Sequence, residues 1–178
     1  YHASLGRYDY PDQFPVFSSH LPEAPVARTV GTPSLPRLQI SIKDDLLSFY
    51  LRELLPRLCA PGNDADTYGE TVYVDADLLQ LIHERINVGR YVAQAKLDSS
   101  PAILGWAHDA DRLVKELKVP EREEALIRAV RAVAGRYELD PDLAETVFRW
   151  IIDQTLRVEI VYLQQLGSSD RPARAGLT

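Results

Sequence analysis

Arg85 and Lys96 lie within a run whose apolar residues recur at helical spacing. Leu78, Ile82, Arg85, Gly89, Val92 and Lys96 follow one another at steps of 4, 3, 4, 3 and 4, which is one continuous stripe on a helix. Four of the six are the apolar or small residues a core wants, and the other two are cations. The cations stand roughly 16 Å apart along the helix, so long side chains leaning toward each other can bracket a small, doubly anionic molecule. Burying a cation is costly unless something pairs with it. The same pattern therefore also fits side chains that snorkel to solvent or pair with internal acids such as Glu123. A second anomaly lies near the C-terminus. Phe148, Ile152, Thr155, Glu159 and Tyr162 follow steps of 4, 3, 4 and 3, which sets Thr155 and Glu159 one turn apart on an apolar face. A carboxyl in such a place tends toward a raised pKa and donates a hydrogen bond when protonated; an ion pair of Glu159 with Arg85 or Lys96 is the other reading. Glu123, one turn before Leu126 and Ile127, either faces inward or simply stabilises a helix N-terminus. Three helices would thus each point polar groups into an apolar bundle, as in a small-molecule site on rigid elements.

The elements that must position these groups are legible in the pattern. Residues 1–40 form a segment rich in Pro and aromatics, in which Pro11, Pro15, Pro22, Pro25, Pro33 and Pro36 forbid a long helix. It reads as an extended strap clamped onto a helical body by Tyr8, Tyr10, Phe14 and Phe17. The body, 41–166, opens on a helix capped by Ser41, with Asp44 at its positive end. Leu46, Leu47, Tyr50, Leu51, Leu54 and Leu55 repeat along it, and Pro56 predicts a kink or break. Residues 60–70 read as a loop, 75–97 as the long helix, and 102–117 as a shorter one. A helix beginning at Pro120 follows, with Glu121, Glu123 and Glu124 in its first turns, and a last helix runs from Pro141 to about Leu166. Residues 167–178 carry no core pattern and read as a flexible tail. No β-alternation competes anywhere, so the expected architecture is a single all-α helical bundle.

Composition bounds the function. The chain has 178 residues and a formal net charge of −6, which speaks against broad nucleic-acid binding. Charges interrupt every hydrophobic segment, so no membrane span is expected. The single Cys59 leaves no internal disulfide framework and no Cys-based zinc site. It fits a cytoplasmic or plastid-like reducing compartment without excluding secretion.

Several separated motifs, in order, carry a family resemblance. "HASLGRYDYPDQFPVF", "FYLRELLPRL", "TYGETVYVDADLLQLIHERINVGRYVAQAKLDSSP" and "TLRVEIVYL" resemble the corresponding stretches of the helical, AroQ-type chorismate mutases of the fungal and plant branch. The resemblance runs from Tyr1 to Leu166. It implies an isomerase that rearranges chorismate to prephenate in phenylalanine and tyrosine biosynthesis, without cofactor or metal. By the same resemblance Arg85 holds a substrate carboxylate, Lys96 and a protonated Glu159 donate to the ether oxygen of the breaking bond, Thr155 assists a carboxylate, and Glu123 binds the ring hydroxyl. Val119 stands where the family usually has a polar residue, and Arg122 offers a replacement contact. The family's N-terminal helix, with its own substrate-binding Arg, has no counterpart before Tyr1, so it is expected either upstream or not at all in a fragment. Fungal and plant relatives are often homodimers that bind aromatic amino acids. Arg7 and Gly69 match that regulatory site, whereas Gly6, Glu70 and Tyr73 depart from it, so a homodimer with weak or no response to tryptophan and tyrosine is expected. Two other readings stay open on this scaffold: isochorismate pyruvate elimination, and a catalytically impaired binding or regulatory relative.

Overall fold

The computed structural model describes residues 1–10, 13–29, 35–36, 38–63 and 65–169, and these contain helices and no strand. The expectations at Pro11, Pro33 and 170–178 lie outside the described residues. The main elements are α1 (Lys43–Phe49), a π-helical turn (Tyr50–Leu54), α2 (Leu55–Leu58), α3 (Tyr68–Asn87) and α4 (Gly89–Ser99). A 3-10 segment (Pro101–Trp106), α5 (Ala110–Leu117), α6 (Pro120–Arg136) and α7 (Pro141–Ser169) complete the order. The all-α expectation holds, and no described helix is long and apolar enough to cross a membrane.

The long α7 is the spine, packing against α3, α4, α5, α6 and the 3-10 segment. Two apolar clusters divide along it. One gathers Leu46, Phe49, Tyr50, Ile82 and Ile86 around Ile151 and Val158, with the Phe49 and Trp150 rings stacked 4.2 Å apart. The other gathers Ala93, Ile103, Leu113 and Leu117 around Tyr162 and Leu163. The Tyr162 hydroxyl, deep in the second cluster, donates to Gln94 Oε1 at 2.6 Å, which satisfies a polar tip that burial would otherwise penalise.

Local departures from the sequence reading have identifiable causes. The first helix begins at Lys43 with Ile42 at its N-cap and no side-chain cap, so Ser41 does not serve as one. Pro56 does not stop the helix. Instead the turn before it widens to π geometry and the chain resumes as α2 with Pro56 in its first turn, where the missing N–H costs little. The long helix starts at Tyr68 rather than at 75. Its first turns are exposed, so no inward apolar repeat marked them. The rod is interrupted at Val88, whose αR backbone (φ −56°, ψ −24°) keeps α4 following on from α3. The stretch 102–117 is two elements rather than one. Asp109 accepts a hydrogen bond from the Arg112 N–H and caps α5, a role the sequence reading passed over. The last helix continues to Ser169, beyond Leu166.

The N-terminal strap is irregular apart from two 3-10 turns, Ala3–Leu5 and Arg7–Asp9. Its anchors differ from the expected set: Tyr10 and Phe17 are exposed, while Val16 is buried. An extended chain turns neighbouring side chains to opposite sides, so Val16 going inward puts Phe17 outward. Gln80 holds this register from α3, accepting from the Val16 N–H at 3.2 Å and donating to the Phe14 carbonyl at 3.0 Å. Arg90 is the principal latch. It is only 2% exposed, lies 4.2 Å over the Phe14 ring, and donates to Asn87 Oδ1 at 3.0 Å, to the Ile40 carbonyl at 3.2 Å and to the Leu38 carbonyl. One guanidinium thereby ties two separate strap segments to α4. Arg90→Ala should lower stability by about 3 kcal/mol, the scale of losing charge-assisted hydrogen bonds and leaving their acceptors unpaired. Urea unfolding with an unchanged slope and an unshifted midpoint would show that Arg90 does not latch the strap.

Candidate active site

The groups of interest sit on α3, α4, α6 and α7, and one contact sets their spacing. A Cβ on Gly89 would lie 2.7 Å from the Thr155 carbonyl oxygen and 3.2 Å from Thr155 Cγ2. Only a residue without a side chain lets α4 meet the α7 main chain at that distance. From this contact Lys96 lies two turns along α4, and Glu159 one turn along α7.

The result is a cleft of about 430 Å³ lined by Arg85, Lys96, Val119, Arg122, Glu123, Thr155 and Glu159, with Val88, Val92, Leu117, Leu126, Ile152 and Leu156 as apolar walls. All seven residues singled out in the sequence as catalytic or substrate-binding therefore line one cavity. Its size suits a small molecule.

Lys96 and Glu159 meet across the α4–α7 seam, with Nζ 2.8 Å from Oε2. The ammonium also donates to the Leu117 carbonyl at 2.8 Å. Two of its three hydrogens are thus committed, leaving one donor for a ligand. That main-chain carbonyl, at the end of α5, was invisible in the sequence because backbone acceptors leave no residue signature. Glu159 is buried, and burial pushes its carboxyl above the usual range. Contact with Lys96 pulls the other way without overcoming burial, and Glu123 adds a small push upward. Of the two sequence readings for Glu159, the ion pair is with Lys96 and not with Arg85, and it coexists with the raised pKa.

Arg85 and Arg122 are exposed on the cleft and make no hydrogen bond or ion pair among the described residues. They are free to receive anionic groups. Glu123 faces the cleft and lies 3.7 Å from Lys118 Nζ, a neighbour across the α5–α6 turn that sequence reasoning did not single out. The Thr155 hydroxyl donates to the Ile151 carbonyl at 2.7 Å, so it must rotate before it can donate to a ligand carboxylate.

The residues of the expected regulatory site do not converge within one chain. Arg7 pairs with Glu84 at 2.6 Å, whereas Gly69 and Glu70 lie in the first turn of α3, roughly 20 Å away along its axis. Tyr73 lines a different cavity with Tyr1, Tyr8 and Phe17.

Comparison with known proteins shows the family of the chain. The family model described as chorismate mutase type II matches residues 67–160, over half of the chain. The chain is 29% identical to the chorismate mutase of Schizosaccharomyces pombe, over 91% of this chain and 70% of that protein. It is 35% identical to the chloroplastic chorismate mutase 1 of Arabidopsis thaliana, over 76% of this chain but only 41% of that longer protein. In fold it resembles the crystal structure of the Candida albicans chorismate mutase in complex with L-Trp, with a TM-score of 0.87 at 24% identity over 97% of this chain and 71% of that one. The chain belongs to the chorismate mutase type II family, whose members are isomerases.

Proposed function

We propose that the cleft binds chorismate and rearranges it to prephenate. The carrying observation is that the Lys96 ammonium and the Glu159 carboxyl, 2.8 Å apart on two helices, share one cavity with the uncommitted cations Arg85 and Arg122. The substrate is a dianion, and three cations converge in a chain whose net charge is −6. Within the bound molecule the ether C–O bond breaks as the new C–C bond forms, so no atom is gained or lost. Negative charge grows on the ether oxygen as that bond lengthens. A site accelerates this by holding the folded conformer and aiming fixed donors at that oxygen. Lys96, with one hydrogen uncommitted, and protonated Glu159 are such donors. Arg85 takes one carboxylate, with Thr155 assisting after its hydroxyl turns, and Arg122 is placed to reach the other. Glu123, steadied by Lys118, accepts from the ring hydroxyl, and Val119 gives that end an apolar wall. Lys96→Ala should lower kcat/KM for chorismate by at least ~10²-fold, the usual cost of one preorganised donor to a developing oxyanion. Near-normal turnover by that variant would end the mechanism.

Glu159 sets the pH behaviour. Its carboxyl must be protonated to donate, and burial holds its pKa above the usual carboxylate value. Activity is therefore present below that raised pKa and falls as pH rises through it. Glu159→Gln, which donates at every pH, should flatten the fall in kcat/KM. Superimposable pH profiles for the two proteins would remove Glu159 from this role.

The protein acts as a homodimer in this reading. Exposed apolar residues on the first half of α3, including Tyr68, Val72 and Val74, supply contact surface. A reducing compartment accords with the exposed free thiol of Cys59. Arg7 is engaged by Glu84, and Glu70 brings a carboxylate to the α3 N-terminus, so capture of an amino-acid carboxylate is disfavoured. Light scattering should report a dimer, and millimolar tryptophan should change the rate at sub-saturating chorismate by less than about twofold, below the range of ordinary allosteric coupling. Several-fold activation would show that such regulation operates.

A further inference from the structure

The α3–α4 rod is charged in two halves. From Tyr68 to Glu84 it carries Glu70, Asp75, Asp77 and Glu84 and no Lys or Arg. From Arg85 to Ser99 it carries Arg85, Arg90 and Lys96 against a single acid, Asp98. The anion cleft lies against the cationic half. Against the acidic half lies a separate, partly open cavity of about 340 Å³ between the strap and α3, with Tyr1, Tyr8, Phe17 and Tyr73 among its walls and Asp77 and Gln80 among its polar groups.

Two of the polar side chains that line this cavity, Gln80 and His2, are engaged with protein partners. The Gln80 side chain is engaged with Val16, Phe14 and Glu84. The Arg7 guanidinium pairs with Glu84 at 2.6 Å and reaches His2 Nδ1 at 3.2 Å. Asp75, one turn before Leu79 and outside the cavity, accepts from the Tyr50 hydroxyl. Asp77 is half-buried and makes no hydrogen bond or ion pair among the described residues. A carboxylate left unpartnered among aromatic rings, on an acidic helix half, favours a positive charge. Ring faces add to that preference through their quadrupoles.

We propose that this cavity binds a small organic cation: an ammonium group on an aromatic or apolar body, with the ammonium at Asp77 and the body among the rings. A carboxylate on the same molecule would face the acidic half of α3 with Arg7 already engaged. Amines lacking a carboxylate are therefore preferred over the corresponding amino acids. The site is independent of the chorismate reading, because none of these residues lines the cleft.

Calorimetric titration of the full chain with tyramine, tyrosine and p-cresol tests it. Tyramine should bind saturably and more tightly than the other two. Asp77→Asn should weaken tyramine by about tenfold, the scale of one charge-assisted contact, and Tyr73→Ala should also weaken it, while chorismate turnover by both variants stays unchanged. Equal binding of p-cresol, tighter binding of tyrosine, unaltered affinity in Asp77→Asn, or no saturable heat with tyramine would each overturn the proposal.

Discussion

The approach of α4 to α7 at Gly89 is the constraint on which the rest of the cleft depends. A helix interior normally loses stability by carrying glycine, yet any side chain here would collide with the Thr155 main chain. Because the obstacle is backbone, a rotamer change cannot relieve it. The close seam is what lets side chains from two helices, Lys96 and Glu159, meet at hydrogen-bond distance. A wider seam would leave an ammonium and a carboxyl each facing water, with ordinary ionisation and no shared target.

That pair is a balance of two opposed effects. Burial favours the neutral carboxyl, and the adjacent ammonium favours the ionised one; burial prevails at Glu159. Pairing keeps the Lys96 charge in place while the raised pKa makes a protonated donor accessible above the normal carboxylate range. The Leu117 carbonyl fixes the ammonium from a third helix, so its remaining hydrogen is directed by two acceptors rather than left to rotate. Arg85 and Arg122 at the rim lie in a more polar setting, where a free charge is affordable and attracts an anion from solution.

One helical rod serves two different faces of the molecule. Arg85 and Lys96 turn toward the cleft, while Gln80, His83 and Arg90 turn toward the strap. His83 is buried, its ring nitrogen lies 3.1 Å from the Phe14 carbonyl, and burial lowers its pKa, so it serves as a neutral group under the strap. Arg90 is buried as deeply as many core leucines and remains charged because carbonyl oxygens and a ring face take the place of water. The strap is thus held by polar contacts on a rigid rod whose opposite face is the cleft wall.

The amino-acid sequence by itself determined the helical class and the stripes that carry Arg85, Lys96, Thr155 and Glu159, because helical periodicity is a local property that burial of one face imposes on residue order. The motif order of residues 2–17, 49–58, 67–101 and 155–163 also indicated the family. Local cues failed where burial gave no pattern: the exposed first turns of α3 were read as loop, and Tyr10 and Phe17 were assigned inward although Val16, beside the correctly assigned Phe14, is the buried residue. Tertiary structure alone decided that Glu159 pairs with Lys96 rather than Arg85, that the Leu117 carbonyl holds Lys96, and that Arg90 latches the strap. Each of these joins groups from segments far apart in the chain. Which of several long side chains meet depends on distances of a few ångströms between packed helices, a quantity that periodicity along one helix does not contain.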